Sequence, residues 1–351
     1  MKILVVASPH AVATRDVYLG HLRGLRAVLG EENVFSYDII KRFNLFTHFT
    51  EWLEEKVGEV PRSFAANILA AEPVFGAAHL YEADVVYLIS PMYFPMTLVQ
   101  MLRKDGFQVW SYFTECPYED EFWARVQAPL MDVCFVSDKM SVARYRMFND
   151  RTYYLPHCYD PAVHYPAAPA RAAAARDNGH RHVSFIGTGF PGRRQFLEAI
   201  DWSGIDLRLY GNWWEVDEAS PLHPYVRHRL VENQTTAQLY RGSSVGISMH
   251  RTERFYRTGG RIDPNEAYSI GPRAYELAAC GLFQVSDPRA ELLDVFGDSV
   301  PIFRNPQELE EVIRGCLSDD DYRTAMADAQ RQAVQGHTVE ARARQLIELA
   351  A

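Results

Sequence analysis

Short, continuous apolar runs recur along the chain, and most are followed by a stretch with helical spacing. Ile3–Ala7, Val85–Ile89, Phe107–Phe113 and Val133–Val136 read as buried strands, and Asp16–Leu29 reads as a helix. A strand with no polar alternation is covered on both faces. Parallel neighbours need a crossover between them, usually a helix. The pattern therefore predicts an α/β fold built on parallel sheets.

The texture breaks once. Residues 156–181 hold Pro156, Pro161, Pro166 and Pro169, then an Ala/Arg run. Such a segment reads as a linker or a loosely packed crossing. The alternation then restarts: strand Val183–Ile186, helix Pro191–Ile200, strand Leu207–Tyr210, helix Thr235–Tyr240, strand Val245–Met249, helix Arg273–Ala279 and strand Phe283–Ser286. Three helices close the chain: Pro306–Leu317, Asp320–Gln335 and Val339–Ala350. A length of 351 residues exceeds one ordinary core. The expectation is an N-terminal domain over 1–165, a linker over 166–180, a C-terminal domain over 181–335, and a final segment over 336–351. Ligands of such sheets sit at the carboxyl ends of the strands, which for two facing sheets is a cleft.

Composition excludes several classes. Lys+Arg 36 against Asp+Glu 45 gives −9, so there is no basic footprint for tight nonspecific nucleic-acid binding. Only five basic residues are Lys, the last being Lys139. Arg suits bidentate phosphate recognition, although Arg- and Ala-rich usage also follows from genome composition. Five widely spaced Cys with no Cys-x-x-Cys argue against a zinc ribbon or a disulfide framework, and for a reducing compartment. The run Ile3–Ala7 is too short for a signal-peptide core, and Ala83–Val99 is broken by Ser90, Pro91 and Pro95. The expected location is the cytoplasm, with no membrane span.

Chemistry concentrates in the second half. After strand Val183–Ile186 come Gly187-Thr188-Gly189 and a helix start with Arg193 and Arg194. Glycines admit close backbone approach, and a helix N-terminus attracts phosphate, though a plain turn fits equally. Residues 248–287 begin with His250, Arg251, Arg254, Arg257 and Arg261 around Gly259 and Gly260, at a strand end or as a solvated basic loop. Ser269-Ile270-Gly271-Pro272-Arg273 then opens a helix, with Glu276 one turn inside. Glu276 is either an ion-pair partner of Arg273 or an acceptor for two ribose hydroxyls, with the amides ahead holding a diphosphate. Gly211-Asn212, at a strand end before Trp213-Trp214, suits backbone contact with a nucleotide base.

The stretch Gly271-Pro272-Arg273-Ala274-Tyr275-Glu276-Leu277-Ala278-Ala279-Cys280-Gly281 resembles the group 1 glycosyltransferases of GT-B fold, in their spore-maturation-protein-like branch. Val183–Arg194 is similar to that branch's strand–Gly–helix. Leu155–Pro161 with His164-Tyr165-Pro166 is similar to its interdomain segment, and Thr114–Glu119 to its acidic N-domain loop. Gly336-His337-Thr338 also fits. The resemblance covers roughly 80–350 and rests on order and spacing. It implies two Rossmann-like domains facing each other across a cleft, with the C-terminal helix crossing back to the N-domain. It further implies a nucleotide-sugar donor (UDP- or GDP-type), an acceptor hydroxyl and a retaining transfer. The donor would be held by Gly187, Gly189, Arg193, Arg194, Gly211, Asn212, His250, Arg251, Ser269, Gly271, Arg273 and Glu276.

One position departs. Retaining members carry two Glu eight positions apart; Glu276 matches the second, Tyr268 occupies the first, and Glu266 lies two residues upstream. An inverting enzyme would need a base, for which Glu115 and Asp16 are the candidates. The cluster Glu115, Tyr118, Glu119, Asp120 equally suits helix capping. His157 is a candidate for the donor's sugar or phosphate, or for holding the hinge; His10 reads as a surface histidine. Asp319–Asp321 contains Asp-x-Asp but lies between helices, where acids cap. No cofactor and no metal are therefore expected. The acceptor is open: a glycan, a protein, a small molecule or a hydroxymethylated phage DNA base. Two rivals remain, a sugar-nucleotide epimerase-like enzyme and a catalytically degenerate GT-B binding protein.

Overall fold

The computed structural model of the chain describes residues 1–7, 12–58, 65–118, 120–168, 182–227, 231–253, 263 and 266–351. The chain divides into two compact units, Met1–Pro156 together with Val339–Ala351, and His157–Thr338.

The first unit is built on six parallel strands: β1 Ile3–Val6, β2 Val34–Tyr37, β3 Val85–Ile89, β4 Gln108–Phe113, β5 Val133–Val136 and β6 Thr152–Tyr154. Their order is β2-β1-β3-β4-β5-β6. Successive residues of each central strand enter opposite cores. Leu4, Val6, Val86, Leu88 and Val109 pack on one face, while Ile3, Val5, Val85, Tyr87 and Trp110 pack on the other. Burial on both faces is why these strands read as unbroken apolar text.

The helices of this unit are α1 Val12–Leu29, α2 Ile39–Val57, α3 Ala66–Ala71, α4 Pro73–Leu80, α5 Met96–Lys104, α6 Asp120–Val126 and α7 Ser141–Arg146. The last helix of the chain, Val339–Ala350, packs on α1; Ala343, Leu346 and Ala350 share a core with Tyr18, Leu22 and Leu25. Gly20 and Gly24, one turn apart on α1, open the groove it fills. A Cβ at Gly20 would lie 3.1 Å from Val339 Cγ1, and one at Gly24 would overlap the Val339 carbonyl. Arg151 Nη2 donates to Ala350 O at 2.5 Å and ties the helix end to β6.

The second unit has four parallel strands, β7 His182–Ile186, β8 Asp206–Tyr210, β9 Val245–Ser248 and β10 Gln284–Ser286, in the order β10-β9-β7-β8. Its helices are α8 Pro191–Glu198, α9 Asn233–Gly242, α10 Pro272–Ala279, α11 Ala290–Phe296, α12 Pro306–Ser318 and α13 Asp320–Ala333, so that the last helix of the chain is α14. Phe185 and Leu209 face a core with Leu197, Phe303 and Ile313. Ile186 and Tyr210 face the other, with Tyr240, Leu277 and Cys280. Thus α8 and α12 cover one face and α9 and α10 the other, and both sets of loops meet at the carboxyl ends of the strands. Among the described residues no helix is long and apolar enough to cross a membrane.

Candidate functional site at the carboxyl ends of the second sheet

Three loops interlock at these strand ends. Gly187 N donates to Tyr210 O at 2.9 Å, and Gly189 N to Asn212 O at 2.8 Å. Gly211 has φ +112, and a Cβ there would overlap the Gly187 carbonyl. Only glycine meets both demands. Gly189 lies against the Trp213 ring, and a Cβ on Gly187 would be 2.6 Å from Arg273 Nη2. These glycines thus let the loops close on each other and on Arg273. Asn212 remains exposed.

The N-terminus of α8, an expected anion site, is occupied by the chain itself. Glu253 Oε1 accepts from Gly192 N at 2.7 Å, and its Oε2 accepts from Thr252 N at 3.1 Å. A carboxylate is the favoured partner of those orphan amides, so it takes the place expected for phosphate. Arg194 forms an ion pair with Glu215 at 2.5 Å. Arg193 is buried; it donates to Thr188 O at 2.9 Å and to Met249 O at 2.6 Å.

Arg193 is not alone there. Its Cζ stands 5.2 Å from the centre of the Phe185 ring, and that of Arg273 stands 5.0 Å from the same centre. Arg273 Nη1 also reaches the Met249 carbonyl, at 3.5 Å. Two guanidinium groups from α8 and α10 therefore converge on one aromatic ring and one carbonyl at the end of β9. Each cation gains from the ring's negative face.

The loop before α10 is fixed from two sides. Ile270 N donates to Glu291 Oε2 at 2.7 Å. Gly271 N donates to His250 Nε2 at 3.2 Å. Since Nε2 accepts, the proton of the neutral ring is on Nδ1, which faces Asp287 Oδ1 at 2.7 Å. Asp287 also accepts from His250 N at 3.1 and 3.2 Å. Burial pulls the His250 ring below its usual value, Asp287 opposing. Burial pushes the Asp287 carboxyl up, but His250 and Arg289 outweigh it and hold it low. His250 is thus a neutral spacer between an anion and the helix start. It corrects the expectation for this loop: the amides of Ile270 and Gly271 are already used, and Pro272 has none. The amide of Arg273, in the first turn of α10, is the one in this stretch with helix geometry suited to an external anion.

Glu276 lies one turn further, half-buried, with His164 Nε2 3.9 Å from its Oε1. His164 Nε2 is held in turn by Asn233 Oδ1 at 2.9 Å. Tyr268 donates its hydroxyl to Asp294, and its carbonyl accepts from Glu291 N. Ser269 is buried beside it. Arg251 reaches towards the Phe190 ring, 5.8 Å from its centre. Glu266 is exposed, and its N donates to Asp263 O. His157, half-buried, opens the second unit. Glu115 follows β4 and Asp16 lies within α1, both half-buried and both in the first unit. Asp319 accepts from Tyr322 N as the N-cap of α13, the capping role its position implies. Arg254, Arg257, Arg261, Gly259, Gly260, His10 and Glu119 lie outside the described residues. Among the described residues no group of His, Cys, Asp or Glu could hold a metal ion.

Residues 193–348 match the family described as glycosyl transferase-like. The chain has the GT-B fold, and its second half carries the glycosyl transferase-like match. Sucrose-phosphate synthase from Thermosynechococcus elongatus superposes with a TM-score of 0.66 at 14% identity, over 99% of this chain and 98% of that one. HepE of Anabaena, solved in complex with UDP-glucose, gives 0.65 at 16% identity, over 99% and 98%. A glycosyltransferase from Rickettsia africae gives 0.61 at 12% identity, over 99% and 97%. No curated protein matches the sequence. The residues of this region that the sequence did not single out are Asp287, Glu291, Arg289 and Glu253. A Ser-Asp-Pro-Arg run straight after a strand was the available signal for Asp287 and Arg289.

Proposed function

We propose that this protein transfers a sugar from a nucleotide-sugar, of UDP or GDP type, to an acceptor hydroxyl, with retention of configuration and without a metal. The observation that carries the reading is the convergence of Arg193 and Arg273 on Phe185 and Met249, at the strand ends where parallel sheets bind ligands. A diphosphate there would meet two guanidinium groups and the first-turn amide of Arg273. Glu276, one turn on, would accept two ribose hydroxyls, and Gly211-Asn212 would meet the base. HepE, a neighbour of the same fold, is solved with UDP-glucose, which supports a donor of this class. The resemblance to the spore-maturation-protein-like branch points the same way.

Catalysis would rest on positioning and on stabilising the leaving diphosphate, as a preorganised set of donors does. In a retaining transfer the departing diphosphate itself assists the acceptor hydroxyl. Glu115 and Asp16 are the base candidates of an inverting one. The acceptor is a glycan, a protein, a small molecule or a hydroxymethylated DNA base.

One observation favours a binding-only reading. Tyr268 stands where a second carboxylate is implied, and its hydroxyl is engaged by Asp294. Incubating the protein with UDP- and GDP-sugars and acceptor pools, with product detection by mass spectrometry, separates the readings. Transfer that persists in EDTA is expected. Nucleoside-diphosphate binding without any sugar transfer or release would favour the binding protein; activity lost in EDTA and restored by Mg²⁺ or Mn²⁺ would overturn metal independence. Arg273→Ala is expected to weaken nucleoside-diphosphate binding by about ten- to a hundredfold.

A further inference from the structure

Arg289 is 5% exposed, yet among the described residues its Nε and Nη2 have no hydrogen-bond partner. Its Nη1 donates to Pro288 O at 3.0 Å. Nε and Nη2 form the lateral edge of a guanidinium, two parallel N–H groups spaced to take a carboxylate or phosphate in bidentate fashion. A buried cation with that edge unpaired is costly to keep unless something else binds it.

As the side chain stands, those two nitrogens have no accessible surface. Arg289 lines a pocket of about 480 Å³, together with Arg193, Phe196, His250, Asp287 and Arg304. Its size falls within the range of small-molecule sites. Among the described residues the charged lining consists of three Arg and one Asp. That Asp, Asp287, is already bonded to the ring and the amide of His250. Among the described residues no hydrogen bond or ion pair joins Asp287 to Arg289, although the Arg289 charge helps to hold that carboxyl low.

Of the residues assigned to the donor, the pocket shares Arg193 and His250 and lies apart from the rest. It lies on the α8 and α12 face, where Phe196 and Phe303 pack. Glu276 belongs to α10, on the opposite face with Tyr240 and Leu277. Arg193 touches both regions, since it lines the pocket and shares the Phe185 ring with Arg273.

We propose that this pocket is a second oxyanion site, in which the guanidinium of Arg289 turns its unpaired lateral edge to the phosphate or carboxylate of a monosaccharide-sized ligand. Phe196 and Met249 supply its apolar wall, and Arg304 adds positive charge at its mouth. The site does not depend on the donor reading, because Arg289, which carries it, is not among the residues assigned to the nucleotide; Arg193 and His250 are shared.

The test uses the full chain and three probes: inorganic phosphate, glucose 6-phosphate and glucuronate, each titrated calorimetrically with and without saturating UDP. Glucose 6-phosphate or glucuronate is expected to bind in the presence of UDP. Binding should fall about ten- to a hundredfold in Arg289→Met, and less in Arg289→Lys, which keeps the charge but not the fork. Binding by glucose 6-phosphate identifies a phosphate ligand; binding by glucuronate alone identifies a carboxylate. Ligand-free Arg289→Met should melt no lower than wild type, since it loses an unpaired buried charge. The proposal is overturned if neither sugar anion binds, if inorganic phosphate alone binds, if Arg289→Met binds as well as wild type, if UDP displaces the probes one for one, or if Arg289→Met is markedly destabilised. A wild type that binds no UDP or GDP but still binds a sugar anion would sink the donor reading and leave this one standing.

Discussion

His250 holds Asp287 with Nδ1 at 2.7 Å and receives Gly271 N at Nε2 at 3.2 Å, so one neutral ring links a buried carboxylate to the start of α10. The ring's lowered proton affinity keeps it neutral at pH 7. Protonation would place a second N–H against the amide of Gly271.

The first prediction follows from that bond. In the unfolded chain His250 takes a proton near its ordinary 6.5, whereas the folded site resists it. The unfolded state therefore binds more protons as pH falls below 6.5, and this residue's contribution to stability is lost on that side. Asp287, held below its ordinary 3.8, loses its contribution only as pH falls beneath that value. In His250→Phe, Gly271 N–H and Asp287 lose a partner, at about 1–3 kcal/mol for each unsatisfied group. Thermal denaturation from pH 7.5 to 5 should show a lower Tm for the variant at pH 7.5 and a shallower decline. An equal decline in both proteins counts against the assignment.

Asp120 should behave in the opposite sense. Burial pushes its carboxyl from 3.8 up to about 6, with Ser141 and Cys116 opposing and Asp138 adding to the rise. The folded state then binds a proton that the unfolded state lacks, so acidification from neutral pH towards 4 relieves a cost. That cost at neutral pH is of order 3 kcal/mol for a shift of this size. Asp120→Asn should therefore stabilise the protein at pH 7.5 and lose the advantage near pH 4. A variant equally stabilised or destabilised at both values would contradict the shift.

Glu276 is tested by a double comparison. Glu276→Gln keeps the shape but loses the charge, and should weaken a ribonucleoside diphosphate by about ten- to a hundredfold. Wild type should discriminate against the 2′-deoxy form, and the variant much less. Equal discrimination by both proteins would mean that Glu276 does not touch the ribose.

Gly24→Ala probes the groove under α14. The added methyl would overlap the Val339 carbonyl, a backbone atom that moves only with its helix. Overpacking of this kind costs about 1–3 kcal/mol. Chemical denaturation should show the loss, and Gly315→Ala, with open space around it, should show none.

Much of the frame was legible. Val85–Ile89 and Val133–Val136 were read at their observed ends, because a strand buried on both faces is apolar throughout. The edge strands β2 and β6 were not, since Phe35, Ser36, Tyr153 and Tyr154 are only partly buried or exposed and the runs are short. Helix α2 leaves only Ile39 fully buried, so its sequence carries no firm apolar stripe. At the site, the glycines and Arg193 were visible as residue types. Their partners were not: Glu253 caps a helix 61 positions earlier, and Asp287 meets His250 across 37. Such pairings are set by which strands end side by side, which no local pattern records.

The return of Val339–Ala351 to the first unit has a consequence for synthesis. The helix that covers Tyr18, Leu22 and Leu25 leaves the ribosome only after residues 157–338. Residues 157–338 are complete while the first unit still lacks one wall of its core. Domains form as units during translation, N-terminal first as a rule. Here the unit begun first is finished after the second, and its apolar face stays open until Val339–Ala350 has emerged.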